Sequence, residues 1–165
     1  SSFAAAIENA HMDDLRLVAD GFQDGLPGYY SSEYLKTAEK EGYAKKIEEV
    51  RTPKGMRTKI KLPDGSDVWL NAGSKLNYDK KFDGDLREVY LTGEAFFDVV
   101  HNEKKPFIIH TSRINVRVLG TRFNVKAYNE DKTTETSLIK GSVEVFLNNN
   151  PSKKFLLKPN QKLVL

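Results

Sequence analysis

The sequence predicts a mainly β protein: an antiparallel sandwich of jelly-roll type with many short hairpins, preceded by a small helical N-terminal segment. Residues 51–165 hold 15 of the 19 Val and Ile residues and 8 of the 9 Thr residues, which favours strands in that part of the chain. Short apolar runs recur there about every eight to twelve residues, a spacing typical of sandwiches and barrels. A β-solenoid-like stack is the alternative architecture.

The first fifty residues differ from the rest in charge and in pattern. Residues 1–50 carry 10 acidic and 5 basic side chains, whereas residues 51–165 carry 13 acidic and 21 basic ones. Apolar residues at helical spacing predict helices over 12–24 and 31–50, separated by the Gly- and Pro-containing residues 25–28. We therefore predict a helical lead or linker segment over 1–50 and a β domain over 51–165.

Residues 62–71 indicate a tight turn between two strands. A three-residue loop suits this sequence, because Pro63 and Asp64 favour the two turn corners and Gly65 favours the left-handed bulge position. The pairs that this loop would set are Thr58 with Leu70, Lys59 with Trp69, Ile60 with Val68, and Lys61 with Asp67. One face of the hairpin is then apolar and the other polar. A two-residue turn would instead place Ile60 opposite Trp69 and scatter the apolar side chains over both faces.

The remaining strands follow from short β-favouring runs between turn signals. The candidate strands are 57–62, 66–71, 86–91, 94–100, 106–110, 113–119, 121–128, 133–139, 142–147, 153–157 and 161–165. The turn signals are residues 72–74, 83–84, 92–93, 129–131, 140–141 and 148–151. No window among these candidates is long enough for a core helix.

One break in the alternation can be located at Gly120. Apolar residues occupy even positions from Ile114 to Val118 and odd positions from Phe123 to Ala127. A pleated strand alternates with period two, so it cannot change parity without an interruption. Gly120 permits a bulge or a sharp bend, and we predict two strand segments separated there.

A search for chemistry predicts no catalytic, cofactor-binding or metal-binding residues. The chain has no cysteine, and its histidines, His11, His101 and His110, have no partners at metal-ligand spacing. Glu94 and Asp98 would lie about 13 Å apart along a strand, too far for a close carboxylate pair. No nucleotide-binding or nucleophile motif is present. We therefore expect a protein that is not an enzyme.

Two binding functions compete with a protein-interaction role. The basic β domain raises nucleic-acid binding, but its lysine pairs fall in separate turn regions, as solvated loops would. A carbohydrate-binding β-sandwich module is the stronger alternative, since Trp69, Tyr78 and Tyr90 could supply exposed aromatic rings. Glycan titration followed by Trp fluorescence would separate that alternative from a protein-interaction role.

Several motifs in the right order resemble a FecR-type periplasmic domain of an anti-sigma regulator, in a Bacteroidetes-like version. The resemblance covers residues 52–165, and none of it falls in residues 1–50. The motif residues that carry it are Leu62, Pro63, Asp64, Gly65, Val68, Trp69, Leu70, Gly93, Glu94, Phe96, Pro106, Phe107, Gly120, Thr121, Phe123 and Gly141.

The resemblance implies a role in cell-surface signalling and transcription regulation. A domain of this type senses the state of an outer-membrane TonB-dependent transporter through that transporter's periplasmic signalling domain. It relays that state to an extracytoplasmic-function sigma factor. The resemblance implies no cofactor. The resemblance places the domain in the periplasm as the soluble part of an inner-membrane protein, with the sigma-binding segment and the membrane helix preceding Ser1. Strand addition at a C-terminal edge spanning 155–157 and 163–165 is the expected way to bind a partner.

Overall fold

The structure, a computed structural model, describes residues 47–165, which form twelve β-strands. The strands are β1 (Ile47–Arg51), β2 (Thr58–Lys61), β3 (Asp67–Leu70), β4 (Lys75–Asp79), β5 (Arg87–Asp98), β6 (Phe107–His110), β7 (Ile114–Val118), β8 (Arg122–Ala127), β9 (Glu135–Lys140), β10 (Val143–Leu147), β11 (Asn150–Leu157) and β12 (Lys162–Val164). The described part contains no α-helix, and so no helix that could cross a membrane. The prediction of a mainly β protein is confirmed.

All twelve strands belong to one hydrogen-bonded sheet with β5 at its centre. Strand order along the main path is β11-β10-β7-β6-β5-β8-β9-β12, and two further pairs, β4 with β1 and β3 with β2, also reach β5. Among these strands the β5–β6 ladder alone is parallel. The predicted jelly-roll sandwich is not confirmed, because one continuous sheet curls nearly into a barrel. The antiparallel ladders also give no support to a solenoid-like stack, whose coils would pair in parallel.

The sheet curls because β5 bends sharply at Gly93. Residues 87–92 pair with β4 and β6, whereas residues 93–98 pair with β3 and β8. Thirteen residues of extended strand would span about 43 Å, yet Nη1 of Arg87 donates a hydrogen bond to the carbonyl oxygen of Val100 at 2.7 Å. Gly93 has a φ of +98° at the bend. The two strands and the turn predicted over 86–100 are therefore one strand that bends at the predicted turn.

The bend divides the sheet into two half-sheets that face one core. The first half-sheet contains β1, β4, residues 87–92, β6, β7, β10 and β11, and the second contains β2, β3, residues 93–98, β8, β9 and β12. Phe97 stacks on Phe123 with ring centroids 5.1 Å apart, and it meets the edge of Phe107 in the other half-sheet at 6.2 Å. All three rings are fully buried. Aromatic contact thus joins the half-sheets at the centre of the core.

The opening hairpin has the predicted loop and register. Gly65 adopts a φ of +89°, and the turn closes through hydrogen bonds from Leu62 N to Ser66 O at 2.8 Å and from Gly65 N to Leu62 O at 3.0 Å. All four predicted pairs are present between β2 and β3. On the polar face, Lys61 lies 3.1 Å from Asp67. The hairpin prediction is confirmed in register and in faces.

The break predicted at Gly120 is also confirmed. β7 ends at Val118 in the first half-sheet, and β8 begins at Arg122 in the second. A Cβ on Gly120 would lie 2.5 Å from the Cα of His101, so the backbone passes too closely for a side chain. The parity change marks the crossing from one half-sheet to the other.

Two elements differ from the sequence predictions. The predicted helix 12–24 and residues 31–46 of the second helix lie outside the described residues, but 47–50 belong to β1 rather than to a helix. β4, which was not predicted, pairs with β1 along all five of its residues and places Val50 opposite Leu76. Pairing with β4 decides the conformation of a segment too short for its own pattern to identify. The other strand bounds lie within three residues of prediction, and β11 starts at Asn150, inside the predicted turn 148–151.

Candidate functional site

The predicted motif residue Asp64 forms a buried ion pair with Arg87. Nη1 of Arg87 lies 2.8 Å from Oδ2 of Asp64, and the Arg87 side chain is 1% exposed. The same carboxylate accepts hydrogen bonds from the backbone N and the hydroxyl of Ser66, at 2.9 and 2.8 Å. The hairpin loop is thereby held by Ser66 at its own end and by Arg87 of β5.

Arg87 also binds three carbonyl groups in the two connections that follow β5 and β7. Its Nε donates to the Lys105 oxygen at 2.7 Å, its Nη1 to Val100 at 2.7 Å, and its Nη2 to Leu119 at 3.1 Å. The guanidinium also lies over the ring of Phe107, 5.4 Å from its centroid. Burying a cation is unfavourable unless it is paired and hydrogen-bonded, and here both conditions are met. This cluster has a structural role, and it explains the Asp64 and Phe107 motif positions together; the Pro106 carbonyl also accepts a hydrogen bond from the backbone N of Arg87 at 2.8 Å.

The motif residue Glu94 ties three strands of the second half-sheet. Its Oε1 accepts a hydrogen bond from Nδ2 of Asn71, and its Oε2 accepts one from Nδ2 of Asn124, both at 2.8 Å. Glu94 lies on β5, while Asn71 follows β3 and Asn124 lies on β8. With both carboxylate oxygens engaged in this way, Glu94 acts as a cross-strand link.

The three other glycine and threonine motif positions are places of close approach. Thr121 donates from Oγ1 to the Ser142 carbonyl at 3.1 Å. A Cβ on Gly141 would lie 3.0 Å from the Gly120 carbonyl oxygen, and one on Gly93 would lie 2.9 Å from the Cα of Ser74. These positions let neighbouring backbones touch, so they shape the fold.

The apolar motif positions divide between the core and one outer face. Leu62, Val68, Leu70, Phe107 and Phe123 are buried in the core. Trp69 and Phe96 lie on the outer face of the second half-sheet as directly paired neighbours, with ring centroids 5.6 Å apart in an edge contact. The structure therefore brings Trp69 and Phe96 together on a surface and assigns the other apolar positions to packing.

The aromatic residues do not form the exposed platform that a carbohydrate module needs. Tyr78 and Tyr90 are 9% and 6% exposed, and Tyr90 stacks on His110 with centroids 4.7 Å apart. Trp69 is half-buried, with Nζ of Lys59 5.2 Å from the centroid of its ring. A sugar ring stacks on an open aromatic face, which the buried rings of Tyr78 and Tyr90 do not offer.

The histidines of the described part lie in different settings. His110 is buried, and its ring nitrogens lie 3.0 Å from Glu88 Oε1 and 3.0 Å from Asn115 Oδ1. His101 is exposed, 3.5 Å from Glu103. Within residues 47–165, no group of three or more histidine or acidic side chains could hold a metal ion. His110 thus forms a row of polar side chains with Glu88 and Asn115 across β5, β6 and β7.

Exposed strand edges are the surfaces that remain for contact with a partner. Among the described strands, β11 pairs with β10 alone, and residues 150–154 are exposed. β12 pairs with β9 alone at the edge of the other half-sheet, where the hydrogen bond from Lys162 lowers the pKa of Glu135. The single C-terminal edge expected over 155–165 is thus wrong: it is two edges, because β11 and β12 belong to opposite half-sheets.

The sequence analysis did not select Arg87 as a site residue. Asn71, Asn124 and Ser66 were also missed. Arg87 did leave a signal: it alternates in phase with the apolar residues Val89 and Leu91, and a buried strand position holds a charge only when a partner is present. The partner, Asp64, lies 23 residues away, so only the fold identifies the pair.

The fold and the buried cluster around Arg87 define a β domain in which most of the motif residues stabilise the structure. The family model described as FecR protein matches residues 48–144, and the chain belongs to this family. None of the curated proteins matches the chain.

Two solved structures share the fold at substantial sequence identity. Both are crystal structures, at 1.65 and 2.50 Å resolution, of a protein from Parabacteroides distasonis ATCC 8503 described as a candidate anti-sigma factor. They are 42% and 41% identical to this chain, with a TM-score of 0.69 in each case. The matches cover 72% of this chain and 54% and 55% of those chains. This chain therefore matches about half the length of its solved neighbours.

Proposed function

We propose that this chain is the periplasmic sensing domain of a membrane-anchored anti-sigma factor. In this role it relays the state of an outer-membrane TonB-dependent transporter to an extracytoplasmic-function sigma factor. Its direct partner is the transporter's periplasmic signalling domain, and the sigma factor binds a segment outside this chain. The observation that carries the proposal is the FecR family match over residues 48–144, supported by the structural neighbours described as candidate anti-sigma factors.

We propose that the domain acts by contact rather than by catalysis and needs no cofactor. The ionisable side chains buried within it hold the fold: Arg87 is paired with Asp64, and His110 contacts Glu88. Glu94 is bonded to two amides. Groups held in such arrangements stabilise a rigid scaffold, which suits a domain that presents a surface to a partner.

The β11 edge is the surface that we propose for strand addition. An edge strand presents unpaired backbone groups that a partner strand can use, and side chains then provide selectivity. Leu156 is 65% exposed on β11, whereas Phe155 packs against the core from the same strand. Lys153 and Lys154 on this edge disfavour pairing between two copies of the chain because like charges would meet, and Pro151 lacks the N–H that a ladder uses.

Isothermal titration tests this function with the complete periplasmic part of the parent protein and the signalling domain of the transporter encoded beside it. We expect saturable, reversible binding that Leu156→Glu weakens at least tenfold. Val164→Glu, at the β12 edge of the other half-sheet, is the matched control and should leave the affinity unchanged. No binding, together with saturable glycan binding that changes the fluorescence of Trp69, would establish the carbohydrate module instead.

A further inference from the structure

A groove of about 570 Å³ lies at the corner of the sheet where β5 bends. Its walls come from the end of β1, the start of β4 and the residue before Gly93. Its lining includes the polar and charged side chains of Arg51, Thr52, Lys54, Lys75 and Thr92. Small-molecule sites in proteins commonly have volumes of about 300–1,000 Å³. The groove is therefore large enough for a small organic ion.

The lining of the groove is positively charged. It includes three cationic side chains, Arg51, Lys54 and Lys75, and no carboxylate. Glu49, just outside, lies 3.0 Å from Nε of Arg51 and 3.8 Å from Nζ of Lys75. Lys54 makes no ion pair with any residue of the described part. Cations held close together around a concave surface attract an anion and disfavour other cations.

Two hydroxyl groups in the same walls lack hydrogen-bond partners. Thr52 is 3% exposed, and its Oγ1 is buried without a hydrogen-bond partner among residues 47–165. The Oγ1 of Thr92 is likewise buried and has no partner among those residues. Buried polar groups are nearly always hydrogen-bonded, so two unpaired hydroxyls in one groove require an explanation. In their present rotamers both oxygens are buried, and a change of χ1 rotamer would turn either hydroxyl towards a ligand in the groove. Each would then donate to an oxygen of that ligand.

We propose that this groove binds a small oxyanion, a carboxylate or a phosphate, through Arg51, Lys54 and Lys75 and the hydroxyls of Thr52 and Thr92. Lysine, arginine and a donating hydroxyl all supply hydrogen-bond donors, and an acceptor-only ligand matches such a set. The lining contains no aromatic ring on which a sugar or a base could stack. The site is independent of the β11 edge and of the proposed transporter contact.

The environment of Lys75 supports an anionic ligand. Burial lowers the pKa of Lys75, and Arg51 lowers it further, while Glu49 raises it. A bound anion would stabilise the protonated lysine and oppose that effect. Affinity should therefore decline with rising pH, beginning below the ordinary lysine value, as Lys75 loses its proton.

Titration of the full chain with inorganic phosphate and, separately, with succinate tests the site by amide chemical shifts at constant ionic strength. We expect saturable shifts at Lys54 and Thr92. The double variant Lys54→Met and Lys75→Met should lose at least tenfold in affinity, with a far-UV spectrum like the parent's. Lys80→Met is the matched control: Lys80 lies 3.8 Å from Glu48, away from the groove, and its removal should leave the affinity unchanged.

A second pair of variants separates a hydrogen-bonding site from general charge attraction. Thr92→Val keeps the shape and removes the hydroxyl, so affinity should fall several-fold, and Thr92→Ser should restore it. Equal losses in the Lys80 control and the groove variant would overturn the proposal, as would the absence of saturable shifts. Binding of a glutamate-rich peptide at these residues, without binding of phosphate or succinate, would also overturn it and identify an acidic protein segment as the ligand.

Discussion

Asp64 and Arg87 show how a few residues organise this domain. The ion pair is buried where the hairpin loop, the start of β5 and the connections after β5 and β7 meet. Replacing both partners by apolar residues can be harmless, but removing one leaves an uncompensated buried charge. The pair is therefore a point at which single substitutions should have large effects.

Arg87→Met should lower the free energy of unfolding by about 3–5 kcal/mol, because the Asp64 carboxylate and several carbonyls lose their donor. Urea unfolding followed by Trp69 fluorescence measures the change. Arg122→Met is the control, since its ion pair with Asp98 is exposed, with side chains 50% and 43% accessible; it should change stability by no more than about 0.5 kcal/mol. Equal effects of the two variants would contradict a structural role for the buried pair.

Gly65→Val should lower the free energy of unfolding by about 1–3 kcal/mol, because a β-branched residue resists a positive φ. The space is available: a Cβ at Gly65 would meet Cγ2 of Val100 at an ordinary 3.8 Å. Gly65→Asn should be milder, since asparagine tolerates the left-handed conformation. Gly84→Val is the control, as Gly84 lies in open space outside that conformation. A thermal melt of Gly65→Val equal to the parent's would count against the bulged loop.

Tyr78 provides a prediction about pH. Burial raises the pKa of its hydroxyl above 10.0, and Glu48, directly opposite on β1, raises it further. A group whose pKa is raised by folding contributes stability below its unfolded pKa and loses it as the pH rises through the folded value. The parent should therefore lose stability above about pH 10 relative to Tyr78→Phe, which cannot ionise. Parallel stability curves for the two proteins from pH 8 to 11 would contradict this.

At the scale of elements, the bend in β5 creates both half-sheets from one strand. The bend is at Gly93. Thr92, the residue before it, pairs with β4, whereas Gly93 itself pairs with β8. The backbone N of Glu94 donates to Oγ of Ser74 at 2.9 Å, which holds the bend against the start of β4. A side chain at Gly93 would disturb this contact.

Gly93→Ala should lower the free energy of unfolding by about 2–5 kcal/mol, combining strain at positive φ with overpacking against Ser74. Gly55→Ala separates the two effects, because Gly55 has a φ of +79° and nothing within 4 Å of the added Cβ. That control should show only the strain, about 1–2 kcal/mol. Thermal or urea unfolding of both variants provides the comparison, and a Gly93→Ala effect no larger than the control's would remove the packing argument.

At the scale of the whole molecule, one shared strand and one core predict a single cooperative unfolding transition. The core cluster includes Leu76 and Val116 of the first half-sheet and Val68 and Phe123 of the second. Hydrogen exchange of β7 and β8 amides should give the same free energy of opening, equal to that from Trp69 fluorescence. A lower value for one half-sheet would show that the halves unfold separately.

The sequence by itself determined the local features of this protein. The loop residues Pro63 and Gly65 restrict the turn, and period-two alternation fixes which face is buried, so the hairpin register could be derived from side chains alone. The parity change around Gly120 likewise located the crossing between half-sheets. These features depend on neighbours in sequence or on one partner strand, and such information is local.

Only the tertiary structure decided which distant residues meet. β1 and β4 are strands because they pair with each other and β4 with β5, and short segments with few apolar residues cannot indicate this by themselves. The Arg87–Asp64 pair and the corner groove join residues far apart in the chain, through the bend at Gly93. Contacts of this kind arise from long-range pairing and close packing, which no local pattern of residues encodes.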